Sequence, residues 1–167
     1  MKIAVVSDIH DNVWNLKAAL EKIQDADLLI CCGDLCSPFT LGMMGEGFQK
    51  PIYVVEGNND GDWRRIAQVA GKFPHVQLCG ELFQGEIGGK KAAINHYPEI
   101  ALPLAQSGLY DVVFYGHNHR SAVEKHGKTL AINPGTLLGY DPIRKMDVPP
   151  TYGLYETETN EAVICEL

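Results

Sequence analysis

Apolar residues in this chain fall into short β-type runs separated by stretches of helical period. Residues 2–7 (KIAVVS) form a β-branched run that ends at Asp8. Val13, Leu16, Ala19, Leu20 and Ile23 recur at helical spacing and predict a helix over 12–24. Residues 27–32 (DLLICC) read as a buried strand ending at Gly33-Asp34. Residues 36–48 hold one proline and three glycines and predict a loop with a single helical turn. A third strand over 51–56 ends at Gly57-Asn58, and 60–70 fits a helix. Strands that alternate with crossover segments predict a largely parallel sheet covered on both faces.

The second half is richer in strand. Residues 76–79, 82–87 and 91–95 are candidates, with Gly88-Gly89 as a hairpin turn. A helix is expected over 99–107, then a buried strand over 111–115 ending at Gly116-His117. Residues 120–126 and 128–132 form a hairpin about Gly127, and 152–157 and 161–166 another about Thr159-Asn160. With three prolines and mixed charge, 139–150 is expected to be a mobile surface loop.

A chain of 167 residues, 46% apolar and 21% charged, suits one globular domain over 1–167 and excludes a disordered chain. No apolar run reaches the ~18–20 residues of a membrane span. The N-terminal run is too short for a signal-peptide core, so a cytoplasmic location is expected. A net charge of −7 argues against a nucleic-acid binder that grips phosphates alone. It permits a phosphate substrate where bound metal supplies positive charge. Five cysteines without a CxxC spacing indicate neither a disulfide framework nor a zinc knuckle. Self-association as a homo-oligomer is left open.

Polar residues of metal-ligating type collect at one kind of place, the C-terminal end of a predicted strand. They are Asp8 and His10, Asp34, Asn58 and Asp60, His96, and His117 and His119. Four of the six histidines fall in this set, and ligand sites of open α/β sheets lie at that edge. Some pieces have a structural reading: Asp11 or Asn12 can cap the first helix, Asp60 the helix that follows it, and Gly33-Asp34 can be a turn. Gly116-His117-Asn118-His119 has no packing purpose. Mixed nitrogen and oxygen donors without thiolate suit catalytic Mn, Fe, Co, Ni or Zn. With Asp60 set aside as a cap, seven donors remain, which exceed one ion's needs and divide between two if one carboxylate bridges.

In order, Ser7-Asp8-Ile9-His10-Asp11-Asn12, Gly33-Asp34, Gly57-Asn58-Asn59-Asp60, Asn95-His96, Gly116-His117-Asn118-His119 and Asn133-Pro134-Gly135-Thr136 resemble the calcineurin-like metallophosphoesterases. The match is to their small YfcE/MJ0936-like phosphodiesterase branch. The resemblance implies a four-layer α/β/β/α sandwich with a dinuclear metal site at the strand ends. It implies that Asp8, His10 and His119 hold one metal, that Asn58, His96 and His117 hold the other, and that Asp34 bridges. Asp34, Asn58 and His117 would be catalytic, and Asn12, Asn59 and Asp60 would stand behind the ligands or face substrate. The cofactors would be two divalent transition-metal ions, Mn or else Ni, Co, Fe or Zn. The reaction would be phosphodiester hydrolysis of a small phosphoester or nucleotide, with a metal-bridging hydroxide attacking phosphorus in line. Alternatives on the same site are a phosphomonoesterase and a nucleotide pyrophosphohydrolase. A Vps29-like scaffold is the non-enzymatic one.

Two positions depart from the pattern. Asn59 stands where larger relatives carry a histidine and small ones often a cysteine, and an amide is no general acid. Tyr97-Pro98 replaces the Gly-His that follows the His96 position in many relatives, and Tyr97 is expected to pack. Trp14 is expected in the core, and Cys32 and Cys36 as a buried strand thiol and a loop thiol. Trp63, Arg64 and Arg65 are expected on a solvated helix face. Phe39, Met43 and Met44 would wall the substrate or cover the sheet.

Overall fold

A computed structural model describes all residues, 1–167. Its first sheet is built from β1 (Lys2–Val6), β2 (Leu28–Cys31), β3 (Ile52–Val54), β4 (Val76–Leu78), β12 (Thr151–Glu156) and β13 (Glu161–Glu166), in the order β13-β12-β1-β2-β3-β4. The second contains β5 (Leu82–Ile87), β6 (Lys90–Asn95), β7 (Val112–Phe114), β8 (Ala122–His126) and β9 (Thr129–Asn133), in the order β5-β6-β7-β9-β8. The helices are α1 (Val13–Lys22), α2 (Pro38–Gly47), α3 (Trp63–Ala70) and α4 (Pro98–Gln106). The largely parallel sheet expected is found in part. The first sheet runs parallel from β1 to β4 and is antiparallel only at its β12–β13 edge, whereas the second has a parallel centre between the antiparallel hairpins β5–β6 and β8–β9.

The period-2 alternation of the strands sorts the apolar residues into three cores. Ala4, Val6, Leu29 and Cys31 face α1 to α3, whose Leu16, Leu41, Met44 and Ile66 cover them. Ile3, Val5 and Ile30 face Ile94, Phe114 and Ile132 across the gap between the sheets. Ala93, Val113 and Ala131 turn outward and take Ala101 and Ala105 of α4. Both faces of each sheet are therefore buried, one by helix and one by the other sheet. This is the α/β/β/α sandwich. Its parallel strands share one polarity and deliver their carboxyl ends to one edge.

Three expectations are corrected. Residues 38–47 form a complete helix, not a loop with one turn. Pro38 at its start has the φ a first turn needs. Gly42 and Gly45 cost a helix roughly 1 kcal/mol each, but burying Leu41 and Met44 returns about 1.5–3 kcal/mol per side chain. Gly45 is also the space Phe73 occupies, because a Cβ there would lie 2.6 Å from its ring. Residues 139–150 contain a small hairpin of β10 (Tyr140–Asp141) and β11 (Met146–Asp147) rather than a mobile loop. Buried Asp141 closes its turn by accepting the N–H groups of Ile143 and Arg144, both at 2.9 Å. Trp14 is 79% exposed and lies outside every core, because it sits on the solvent side of α1, opposite Leu16.

Candidate metal centre

The edge where β1, β2, β3, β6 and β7 end carries all seven donors singled out in the sequence. His10 Nε2 lies 3.2 Å from His119 Nε2, and Asp8 Oδ1 lies 3.4 Å from His119 Nε2 and 3.9 Å from His10 Nε2. On the other side, Asn58 Oδ1 is 3.0 Å from His96 Nε2 and 2.8 Å from His117 Nδ1. Asp34 Oδ2 stands between the two groups, 3.5 Å from His10 Nε2 and 3.5 Å from His96 Nε2. Donor atoms of Asp8, His10 and His119 fall within 4.8 Å of one another, as do those of Asp8, Asp34 and His96.

The backbone makes this convergence possible by unusual means. Asp8, His10, Asp34, His117 and His119 all have φ between 45° and 74°, in the left-handed region. Each such residue costs of order 1–3 kcal/mol, which points to function rather than stability. Close approach comes from glycine. A Cβ on Gly57 would strike the Asp34 carboxylate, and one on Gly116 would strike Ser7 Oγ and sit 2.8 Å from Asp8 Oδ2.

Hydrogen bonds fix which atoms face inward. His96 Nδ1 and His119 Nδ1 each lie 2.7 Å from a backbone carbonyl, those of Cys32 and Tyr140. Protons therefore sit on Nδ1, and the Nε2 lone pairs point into the site. Burial pushes the His10 imidazole down against the pull of Asp34 and Asp8, so it too offers a lone pair. Burial opposes charge on His96 and His119 as well, but Asp34 and Asp8 outweigh it and raise both. Burial alone would lift the Asp34 carboxyl. The hydrogen bond and charge of His96, with two hydrogen bonds from Asn59, hold it well below the usual carboxylate range.

This donor set fits divalent cations. Asp8 Oδ1 is buried and accepts no hydrogen bond. Two pairs of imidazole nitrogens approach to 3.2 and 3.1 Å, which brings donor atoms of both groups close together. Nitrogen and oxygen donors without thiolate suit the transition metals named above. Cys36 Sγ lies 3.6 Å from His10 Nδ1, on the far side of the ring from the Nε2 that faces the other donors, and burial pushes its thiol up to about 12.

The supporting residues separate by what they touch. Asn59 reaches Asp34 twice, through its backbone N–H at 2.7 Å and Nδ2 at 2.8 Å. Asn12 caps α1 through Asn15 N–H and donates to Leu138 O, so it braces a loop without touching a donor. Asp60 neither faces the cavity nor caps α3, a role taken by Asp62. Its carboxylate collects the N–H groups of Asp34, Cys36 and Gly57 at 3.1, 2.7 and 2.7 Å. It locks the β2 and β3 loops together. Asp60→Ala leaves these donors unpaired, at about 1–3 kcal/mol for each that water cannot reach. Urea unfolding is expected to show a loss of at least that size; unchanged stability would contradict the clamp.

Tyr97 packs, as expected, with its ring 5.1 Å from both His96 and His117. Met44 is buried, Phe39 is 75% exposed, and the Arg65 guanidinium lies 5.9 Å from the Phe39 ring. The cavity over the donors is about 590 Å³. Its wall includes Glu99, Asn118, Leu138, Pro142 and Ile143, which the sequence does not single out as candidates. Pro142 and Ile143 belong to the β10–β11 hairpin, in a segment whose composition predicts a surface loop, so no signal places them here.

Comparison with known proteins agrees with this geometry. The profile of the calcineurin-like phosphoesterase superfamily domain matches residues 1–160. Phosphodiesterase MJ0936 of Methanocaldococcus jannaschii is 34% identical over 165 residues, covering 96% of each chain. The solved structure of an archaeal phosphodiesterase superposes with a TM-score of 0.89 at 31% identity, over 100% of both chains. Vacuolar protein sorting 29 of Cryptosporidium parvum shares the fold, with a TM-score of 0.69 at 19% identity over 99% of this chain and 96% of that one. No helix is long and apolar enough to cross a membrane.

Proposed function

The chain belongs to the calcineurin-like phosphoesterase superfamily and is a hydrolase of phosphoesters, and from that premise we propose that it is a dinuclear-metal phosphodiesterase. Asp8, His10 and His119 would hold one divalent ion and Asn58, His96 and His117 the other, with Asp34 between the two groups. The observation that carries this reading is the position of Asp34 Oδ2, 3.5 Å from a histidine nitrogen of each group. When bound, the ions lower the pKa of water and neutralise charge at phosphorus. The mixed nitrogen and oxygen donors suit manganese, our first choice, as well as Ni, Co, Fe or Zn, and the five free thiols suit a cytoplasmic setting.

The chain's own residues do the rest. Asp34 stays anionic because His96 and Asn59 hold its charge. Asn58 turns Oδ1 toward the two histidines, which leaves its Nδ2 for a phosphoryl oxygen. His117, on the cavity wall, borders the same phosphoryl group. The leaving group finds no acid. Asn59 is no acid, and its backbone N–H and one proton of its Nδ2 are spent on Asp34. A missing general acid costs about 10²–10⁴-fold, a penalty that falls on poor leaving groups.

Aryl diesters are therefore expected to be turned over faster than alkyl monoesters. Initial rates on bis-p-nitrophenyl phosphate and glycerol phosphate test this, and a faster monoester would contradict it. The likeness to vacuolar protein sorting 29 is one of fold. A scaffold has no use for seven converging donors, five of them held in left-handed backbone.

A further inference from the structure

One polar side chain on the cavity wall has no part in the donor set. Asn118 lies between His117 and His119, and its Oδ1 accepts two hydrogen bonds, from Asn133 Nδ2 and from the backbone N–H of Arg120, both at 3.0 Å. Asn133 is itself buried and fixed. Its Nδ2 also donates to Gly116 O at 3.0 Å, and its Oδ1 accepts the Gly135 N–H at 2.9 Å. Two independent donors therefore face one atom of Asn118, which must be its oxygen. Nδ2 is left with two protons and no partner in the chain, on a side chain that lines the cavity.

The geometry points to Asn118 as a substrate-contacting residue of the phosphodiester reaction proposed above, donating from Nδ2 to a non-bridging phosphoryl oxygen. Asn133 acts through it as a positioning residue. No lysine or arginine lines this cavity, so a diester anion must find its hydrogen bonds among amides. Asn59 keeps one Nδ2 proton beyond its bonds to Asp34, and Asn58, with its oxygen engaged, keeps its Nδ2. Asn118 adds an amide with both Nδ2 protons free, and its orientation is set before substrate arrives. Such a donor needs no reorganisation as charge builds on phosphorus. The same contact explains the Asn133-Pro134-Gly135-Thr136 segment, whose asparagine reaches under the His117–His119 loop and aims the amide.

The test is N118D in the metal-loaded enzyme. Aspartate keeps the oxygen that accepts from Asn133 and Arg120 but adds a charge that itself repels phosphate, so N118A is measured beside it, and a loss in N118D alone is charge repulsion and overturns the contact. A donor role predicts that kcat/KM on bis-p-nitrophenyl phosphate falls roughly 10²-fold. Affinity for inorganic phosphate, measured by calorimetry, is expected to weaken with it, while metal stoichiometry and melting temperature hold. Where N118D disturbs metal content, N118A decides, and a loss of at least about 10-fold at full metal loading is expected. Wild-type activity with both variants within about threefold of it overturns the role of Asn118 alone. An inactive, metal-loaded wild type overturns the phosphodiesterase reading and this inference with it.

Discussion

Asp34→Asn is expected to abolish turnover, with a fall in rate of at least about 10²–10³-fold, and to lower metal stoichiometry below two. The carboxylate oxygen nearest both histidine groups is Oδ2, and both oxygens already accept from Asn59. An amide removes the negative charge between the two sets of donors. It also turns an NH₂ group either toward the histidine nitrogens or against an Asn59 N–H. Metal analysis and steady-state rates on one preparation check this, with circular dichroism to show that the fold persists. A variant that keeps two metals and its rate would remove Asp34 from the centre.

Gly116→Ala is the second large effect, and it comes from a residue with no functional group. The added methyl would meet Ser7 Oγ and lie 2.8 Å from Asp8 Oδ2, the atom that accepts the His117 N–H at 2.9 Å. Neither neighbour can yield, because both are buried on β1 or at its end. Overpacking of this kind costs about 1–3 kcal/mol. The displacement falls on Asp8 and on the start of the loop that carries His117 and His119. A 1 Å misplacement costs about 10²-fold in rate, so activity is expected to fall by at least that much while most of the fold survives. Thermal melting and kcat/KM separate the two losses. A variant with wild-type kinetics would mean that Asp8 is not held where the chemistry needs it.

The donors are legible in the sequence because they obey one rule. A buried strand announces itself by its apolar run, and the polar residue just beyond it in a parallel sheet must lie at the ligand edge. That rule places Asp8, Asp34, Asn58, His96 and His117 without knowledge of any contact. Motif order then points to the two-sheet sandwich, which strand pattern alone renders as one sheet.

What escapes the sequence depends on tertiary partners. The glycines of 38–47 read as helix breakers because nothing in that segment shows Phe73 needing the room. Asp60 reads as a cap, whereas its carboxylate serves backbone 24 and 26 residues earlier in the chain. The 140–147 hairpin is held by Asp141 in an Asp-Pro turn, a local signal that the surrounding prolines and charges mask. Asn118 is visible as a letter of a motif, but its free Nδ2 follows only from Asn133, 15 residues away.

The most direct measurement is a Mn²⁺ titration of metal-stripped protein, followed by calorimetry and by hydrolysis of bis-p-nitrophenyl phosphate in the same samples. Two equivalents are expected to bind, with activity absent from the stripped protein and complete only when both are bound. Full activity without metal, or a folded protein that binds no divalent ion at all, would contradict the dinuclear assignment.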